Sequence, residues 1–191
     1  LIYNGPVSDG DSTRAIAAVV KQVGLPVRYL SNIEALPAEL DNARVFIVGG
    51  TEDDVEPLLN AFTVDARSAL KTYLQNGGRY LGICGGAFVA STGWSADEGF
   101  VPALGLVPAT SDDYDGDFSA RIFPITWLGE ERQMYYQAGP SFALAKSPET
   151  VARLAYFEDR QLAALMSTFG AGKVAVSGPP PKLPTPGAQR R

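Results

Sequence analysis

The residues with the clearest capacity for chemistry are Gly82-Ile83-Cys84-Gly85-Gly86, which set a cysteine between glycines two positions before and two positions after it. This is the pattern of a nucleophile elbow, G-x-nucleophile-x-G, with Cys in place of Ser. The context fits, because Arg79 to Ile83 reads as a strand and Ala87 to Ser91 as a helix. A side chain at such a strand-to-helix turn sits on strained backbone, and the glycines leave room for the turn and for close helix packing. At a helix start, free N–H groups and the helix dipole favour thiolate over thiol and lower the cysteine pKa. Backbone N–H groups beside the sulfur can hold a developing oxyanion. The competing role for a free cysteine is that of a small buried apolar residue; the glycines and flanking elements favour the reactive elbow.

A second glycine pair, Gly49-Gly50, follows the apolar run Arg44 to Val48. α/β sheets build their sites at the C-terminal ends of parallel strands. The Gly85 N–H is therefore expected as first oxyanion donor and the Gly50 N–H as second, although an ordinary βα turn would explain Gly49 and Gly50 taken alone. Thr51 to Asp54 reads as a helix cap followed by acidic first-turn residues rather than as a metal site.

The chain contains no histidine. That removes the usual general base near neutral pH and the commonest metal ligand. A zinc site would have to be built from acids and one cysteine, so no metal is expected, and nothing in the sequence asks for a cofactor. Ser111 to Asp117 holds four aspartates, but counting from Asp113 puts Phe118 sixth and Pro124 twelfth, where a calcium loop needs Gly and Glu. It reads as a solvated turn. Asp9 and Asp11 read as helix-capping residues, and the spacing of Glu98 assigns it no role beside the thiol.

Strand and helix alternate through the first half. Leu1 to Tyr3 reads as a strand end, and Ile16, Val19, Val20 and Val23 mark one face of a helix capped by Asp11 or Ser12 and ended by Gly24. Pro26 to Leu30 and Arg44 to Val48 read as strands, Asp65 to Asn76 as a helix, and Arg79 to Ile83 as the strand entering the elbow. βαβ units and a parallel sheet follow. In the second half, Leu104 to Thr110, Ser119 to Trp127, Arg132 to Gln137, Val151 to Phe157, Gln161 to Thr168 and Lys173 to Ser177 read as strands joined by short turns, an antiparallel extension of the core.

The 191 residues, 46% hydrophobic and 19% charged, suit one globular domain. A net charge of −5 with no Lys/Arg run outside the tail argues against nucleic-acid binding. No apolar run is long enough to span a bilayer. The one cysteine allows no internal disulfide and favours the cytoplasm. Because the chain opens on Leu1, a processed product that has lost a signal peptide is the alternative. Residues 179–191, rich in Pro and basic side chains, read as an extended tail.

The strand RYLGICGGAF, the upstream VGG, the later YYQAGPSF and the opening YNGPVS together resemble the class I glutamine amidotransferase-like superfamily. Within it they are most similar to the domain at the N-terminus of eukaryotic biotin–protein ligases, also found as stand-alone bacterial proteins. The resemblance covers residues 1–178. It implies a flavodoxin-like three-layer α/β/α sandwich, with a mainly parallel central sheet and antiparallel strands added in the second half. It implies Cys84 as nucleophile, oxyanion-hole backbone at Gly50 and Gly85, and a cleft that Gly49, Gly86, Tyr136 and Phe142 would line. Tyr135 is a further candidate there, although an alternating strand with aromatic core residues also explains the aromatic positions. Triad members follow a late strand with a segment similar to S-G-P-H-P-E. Here Ser177-Gly178-Pro179-Pro180-Pro181-Lys182 stands in that place, with Pro180 in the histidine slot and Lys182 in the glutamate slot. Either the triad is lost, or the reading frame departs from the natural one near Pro179.

The expected function is an amidotransferase-like domain with an incomplete Cys-His-Glu triad and without standard glutaminase activity. The rivals are a non-catalytic module that takes a small ligand or a partner domain in the cleft, and a cysteine redox sensor. Alkylation of Cys84 across pH separates them. A labelling midpoint well below about 8.5 marks an activated thiolate, and one at or above it marks the binding module or a buried thiol. A stable sulfenic acid under mild peroxide marks the sensor.

Overall fold

The structure is a computed structural model that describes residues 1–52, 54–145 and 150–179. In chain order its elements are β1 (Ile2–Tyr3), α1 (Gly10–Gln22), β2 (Tyr29–Leu30), α2 (Leu36–Leu40), β3 (Phe46–Val48), α3 (Glu56–Ala61), α4 (Val64–Gln75), β4 (Arg79–Ile83), α5 (Gly85–Ala90), β5 (Gly93–Ala96), β6 (Gly99–Pro102), β7 (Ala109–Asp113), β8 (Arg121–Trp127), β9 (Glu130–Tyr136), β10 (Pro140–Leu144), β11 (Val151–Tyr156), β12 (Leu162–Phe169) and β13 (Gly172–Ser177).

The main sheet runs β2-β1-β3-β4-β13-β12-β11-β8-β9. Pairing is parallel from β2 through β13 and antiparallel beyond it. β10 branches off β12 and carries β7. This is the mixed α/β, flavodoxin-like arrangement that the first-half alternation and the second-half strand run imply.

Side-chain alternation splits the parallel strands between two cores. Ile2, Ile47 and Ile83 face α1 and pack on Ile16 and Ala17. Tyr3, Phe46, Val48 and Tyr80 face the other way and pack with Leu36, Leu58, Leu70 and Phe88 from α2 to α5. A third cluster under the β8–β9 hairpin gathers Ile125, Tyr136 and Phe157, with Tyr114 stacked on Phe157 at 3.6 Å between ring centroids.

Several local expectations give way to tertiary packing. Leu104 to Pro108 is a buried loop rather than a strand: the N–H groups of Leu104, Gly105 and Leu106 donate to the carbonyls of Val89, Ser91 and Ala90, closing the C-terminus of α5. Helices α2 and α3 are only 5 and 6 residues long, with a proline in the first turn of each, too short for a legible period. The β5–β6 hairpin was likewise not legible. Of the residues read as caps, Asp9 is the N-cap of α1, its carboxylate accepting from the Asp11 N–H at 2.8 Å, while Asp11 and Ser12 lie inside the first turn. Residues 180–191 of the expected tail lie outside the described residues.

Close approach around the elbow is what its glycines permit. A Cβ on Gly86 would lie 2.0 Å from the Val48 carbonyl oxygen, and one on Gly82 would lie 2.3 Å from the Gly86 carbonyl oxygen. Gly86→Ala is expected to cost about 3 kcal/mol in urea-induced unfolding, since backbone must move to admit the methyl. Gly10→Ala, which meets only the flexible end of Arg14, is the control expected to leave stability unchanged or slightly raised.

Candidate functional site

Cys84 joins β4 to α5 with φ 53° and ψ −114°, a conformation few L-residues adopt. The surrounding backbone fixes it there. The Cys84 N–H donates to the Ser177 carbonyl at 2.9 Å, and the Cys84 carbonyl accepts from the N–H groups of Ala87 and Phe88 at 2.9 and 3.1 Å. The Gly86 N–H donates to the Gly49 carbonyl at 2.9 Å, tying the elbow to the loop after β3. Strain of this kind persists where neighbours over-determine it, and it clusters at functional sites.

The side chain projects into a cleft of about 750 Å³ at the C-terminal ends of the parallel strands. Gly50 and Thr51 form part of its floor, and Phe88, Trp94, Phe118 and Tyr135 are its aromatic walls. The loop Gln137 to Gly139 closes one side, where the Cys84 thiol approaches the Ala138 carbonyl oxygen at 3.9 Å. A carbonyl in that position accepts a hydrogen bond from the S–H group and would repel a thiolate. Burial pushes the thiol up from its ordinary 9.0 to about 11; the charges of Asp113 and Asp9 add to the effect, and the hydrogen bond from the Gly85 N–H opposes it. The expected lowering of the pKa is thus reversed. α5 has only 6 residues and its dipole is correspondingly short, while desolvation and nearby carboxylates both disfavour negative sulfur.

The expected oxyanion donors are placed differently from each other. The Gly85 N–H reaches the sulfur. The Gly50 N–H is already engaged, donating to Ser12 Oγ at 3.1 Å. Gly49 and Gly86 serve packing rather than the cleft wall: a Cβ on Gly49 would lie 2.8 Å from Ile16 Cδ1, and Gly86 is pressed against Val48. Tyr136 and Phe142 are corrections too. Tyr136 is 1% exposed within the aromatic cluster, its hydroxyl donating to the Gly139 carbonyl at 3.0 Å, and Phe142 is buried in the main core. The alternation of β9 turns Tyr135, its neighbour, toward the cleft.

The aspartate-rich segment is more than a solvated turn. Asp112 accepts from the Ser95 N–H at 2.9 Å, Asp113 lines the cleft, and Asp115 and Asp117 both pair with Arg121. Glu98 sits exposed between β5 and β6, away from the cleft lining. Ser12, Asp113, Phe88 and Trp94 are cleft residues that sequence reasoning missed or gave other roles. Only Ser12 carried a signal, its place in the first turn of α1 across from the glycine pair. Register between β13 and β4 sets Ser177 opposite Ile83, so the chain leaves β13 beside Cys84. Pro180 and Lys182, which stand in the triad slots, lie outside the described residues.

A family model described as biotin-protein ligase, N terminal, matches residues 1–99, just over half of the chain. The chain belongs to this family. No curated protein matches it. Among solved structures, this family member is similar to a glutamine amidotransferase at 15% identity, with a TM-score of 0.69 and 94% of this chain and 90% of that one covered. It is also similar to a candidate GMP synthase component from Thermoplasma acidophilum at 15% identity, with a TM-score of 0.58 over 95% and 84% of the two chains. A GH42 β-galactosidase contains a similar fold in 23% of its chain, at 13% identity and a TM-score of 0.60 over 88% of this one. At these identities the likeness concerns the fold, which is amidotransferase-like. No helix among the described residues is long and apolar enough to cross a membrane.

The raised thiol has a consequence for stability. The unfolded chain releases the Cys84 proton near 9, whereas the folded chain holds it to about 11, so folding stability is fully present below 9 and declines between those values. Wild-type stability minus that of Cys84→Ala is expected to fall by roughly 2 kcal/mol from pH 8 to pH 11. The subtraction removes the contribution of Tyr80, whose phenol is also pushed up by burial, and leaves of Tyr136 only the small part of its upward shift that comes from Cys84 itself. Chemical denaturation at several pH values reads the difference.

Proposed function

We propose that this chain is an amidotransferase-like domain that keeps the elbow and the cleft but not the hydrolysis, and that it binds a small ligand or a group on a partner domain above a protonated Cys84. The observation carrying this reading is the thiol itself, which faces the Ala138 carbonyl at 3.9 Å in a chain without histidine. Amide hydrolysis through Cys84 would need three things: a thiolate or a base to make one, two N–H donors aimed at the developing oxyanion, and an acid for the leaving amine. Burial and carboxylates oppose the thiolate. Ser12 holds the Gly50 N–H. No imidazole is available to shuttle the proton.

What remains is a recess with polar and aromatic walls, the ordinary description of a ligand site. The appearance of the same fold as a minor part of chains named for β-galactosidase chemistry supports separating fold from reaction. The raised thiol also disfavours a peroxide sensor, because oxidation proceeds through the thiolate.

Loss of the base from a nucleophile–base pair costs about 10³-fold or more in rate. Ammonia release from glutamine is therefore expected to be indistinguishable between wild type and Cys84→Ala, and to stay so in Ser12→Ala, which frees the Gly50 N–H without supplying a base. Turnover by wild type that disappears in Cys84→Ala would contradict the proposal.

A further inference from the structure

The charge of the cleft is one-sided. Asp9, Asp11, Glu52, Asp54 and Asp113 line it, and no described lining residue is a lysine or arginine. The overall balance, 16 basic against 21 acidic residues, does not impose this; the acids are locally concentrated. Several have partners. Asp9 accepts from the Asp11 N–H, Asp11 pairs with Arg14, and Asp54 accepts from the Glu56 N–H at 3.2 Å. The Asp113 carboxylate, at the end of β7, receives neither a hydrogen bond nor an ion pair from a described residue. Burial and then the neighbouring charges of Asp112 and Asp115 push its carboxyl upward, as befits an acid without a counter-charge. Asp11, Glu52, Asp54 and Asp113 are exposed lining residues, and the low-dielectric walls beside them strengthen their field toward the recess. Those walls include Phe88 and Trp94, packed edge to face at 5.8 Å, together with Phe118 and Tyr135, and aromatic faces attract cations.

We infer that the cleft over Cys84 takes a ligand bearing a positively charged nitrogen, an amine or a guanidinium group, drawn to the Asp113 side of the recess with its apolar stem along the aromatic walls. This rests on the reading of the cleft as a binding site. Among the described residues no three acidic, cysteine or histidine side chains converge as metal ligands would. The acids are spread along the wall, as suits an organic cation rather than a bare ion. The same geometry disfavours carboxylate ligands, including the α-carboxylate of a free amino acid, unless that group points away to solvent.

Cys84, the one cysteine of the chain, is a built-in probe of this potential. Three methanethiosulfonates, carrying a trimethylammonium-ethyl, a sulfonato-ethyl or a neutral methyl group, are compared on the full chain and on a small free thiol. Normalised to the neutral reagent and to the free thiol, the cationic reagent is expected to modify Cys84 about 10-fold or more faster than the anionic one. That ratio should shrink several-fold in about 0.5 M salt and in Asp113→Asn. Calorimetry at low salt with 1,4-diaminobutane and with succinate, ligands of equal chain length and opposite charge, should show binding of the diamine alone. A ratio at the free-thiol value, a ratio that both Asp113→Asn and Glu52→Gln leave unchanged, or preferential binding of succinate would overturn the inference. If no reagent reaches Cys84, the placement of the thiol in an open cleft fails, while calorimetry still decides the charge preference. If Cys84-dependent glutamine turnover appears, the non-hydrolytic reading fails and the charge ratio stands by itself.

Discussion

The site depends on a single turn of backbone in which Cys84 is held at φ 53° between a sheet strand and a short helix. That conformation is unfavourable for a residue with a side chain, and three separate parts of the molecule hold it. β13 accepts the Cys84 N–H through Ser177, the first turn of α5 donates back to the Cys84 carbonyl, and the loop after β3 accepts from Gly86. Gly82 and Gly86 allow these pieces to approach to distances that a methyl group would forbid. The parallel order β1-β3-β4-β13 therefore does more than form a core. It brings the segments after β1, β3 and β4 to one end of the sheet, beside the end of β13, and the sulfur projects where they meet.

The electrostatics of that point run opposite to those of an activated nucleophile. A thiol becomes nucleophilic through cations, an adjacent base or a long helix aimed at it. Cys84 has a backbone carbonyl, two carboxylates and burial, against one N–H donor from Gly85. The fold is amidotransferase-like, while burial and the charges around the sulfur favour its neutral form. The engagement of the Gly50 N–H by Ser12 is consistent with this, because an unsatisfied donor on a buried residue is costly and the hydroxyl supplies its partner.

The parallel half of the fold was legible because its signals are local. RYLGI is a strand directly followed by the glycine-flanked cysteine, and the structure begins and ends that strand at the expected residues, Arg79 and Ile83. Apolar spacing likewise located α1 and α4 to within a turn of their observed ends. Leu104 to Pro108 failed for a physical reason: an apolar run is buried equally well against the end of a helix as in a sheet, and periodicity cannot tell the two apart. Chain order alone implies that Cys84 and Gly50 stand together at the strand ends, and both line the cleft. The site was not legible where it depends on which face of an antiparallel strand looks inward. That choice sends Tyr136 to the core and Tyr135 to the cleft, and it is fixed by register between β8 and β9 rather than by composition. The contribution of Asp113 arises from a long-range pairing of β7 with β10 that no local pattern encodes.

The protonation state of one sulfur atom at neutral and mildly alkaline pH is the centre of this account. Because the chain has one cysteine, its S–H stretching band in a Raman spectrum is unique and can be verified by its loss in Cys84→Ala. The band is expected to persist in the folded protein to about pH 9.5, beyond the point where a free thiol has largely ionised. Its disappearance near pH 7 would show a thiolate at the elbow and contradict the account.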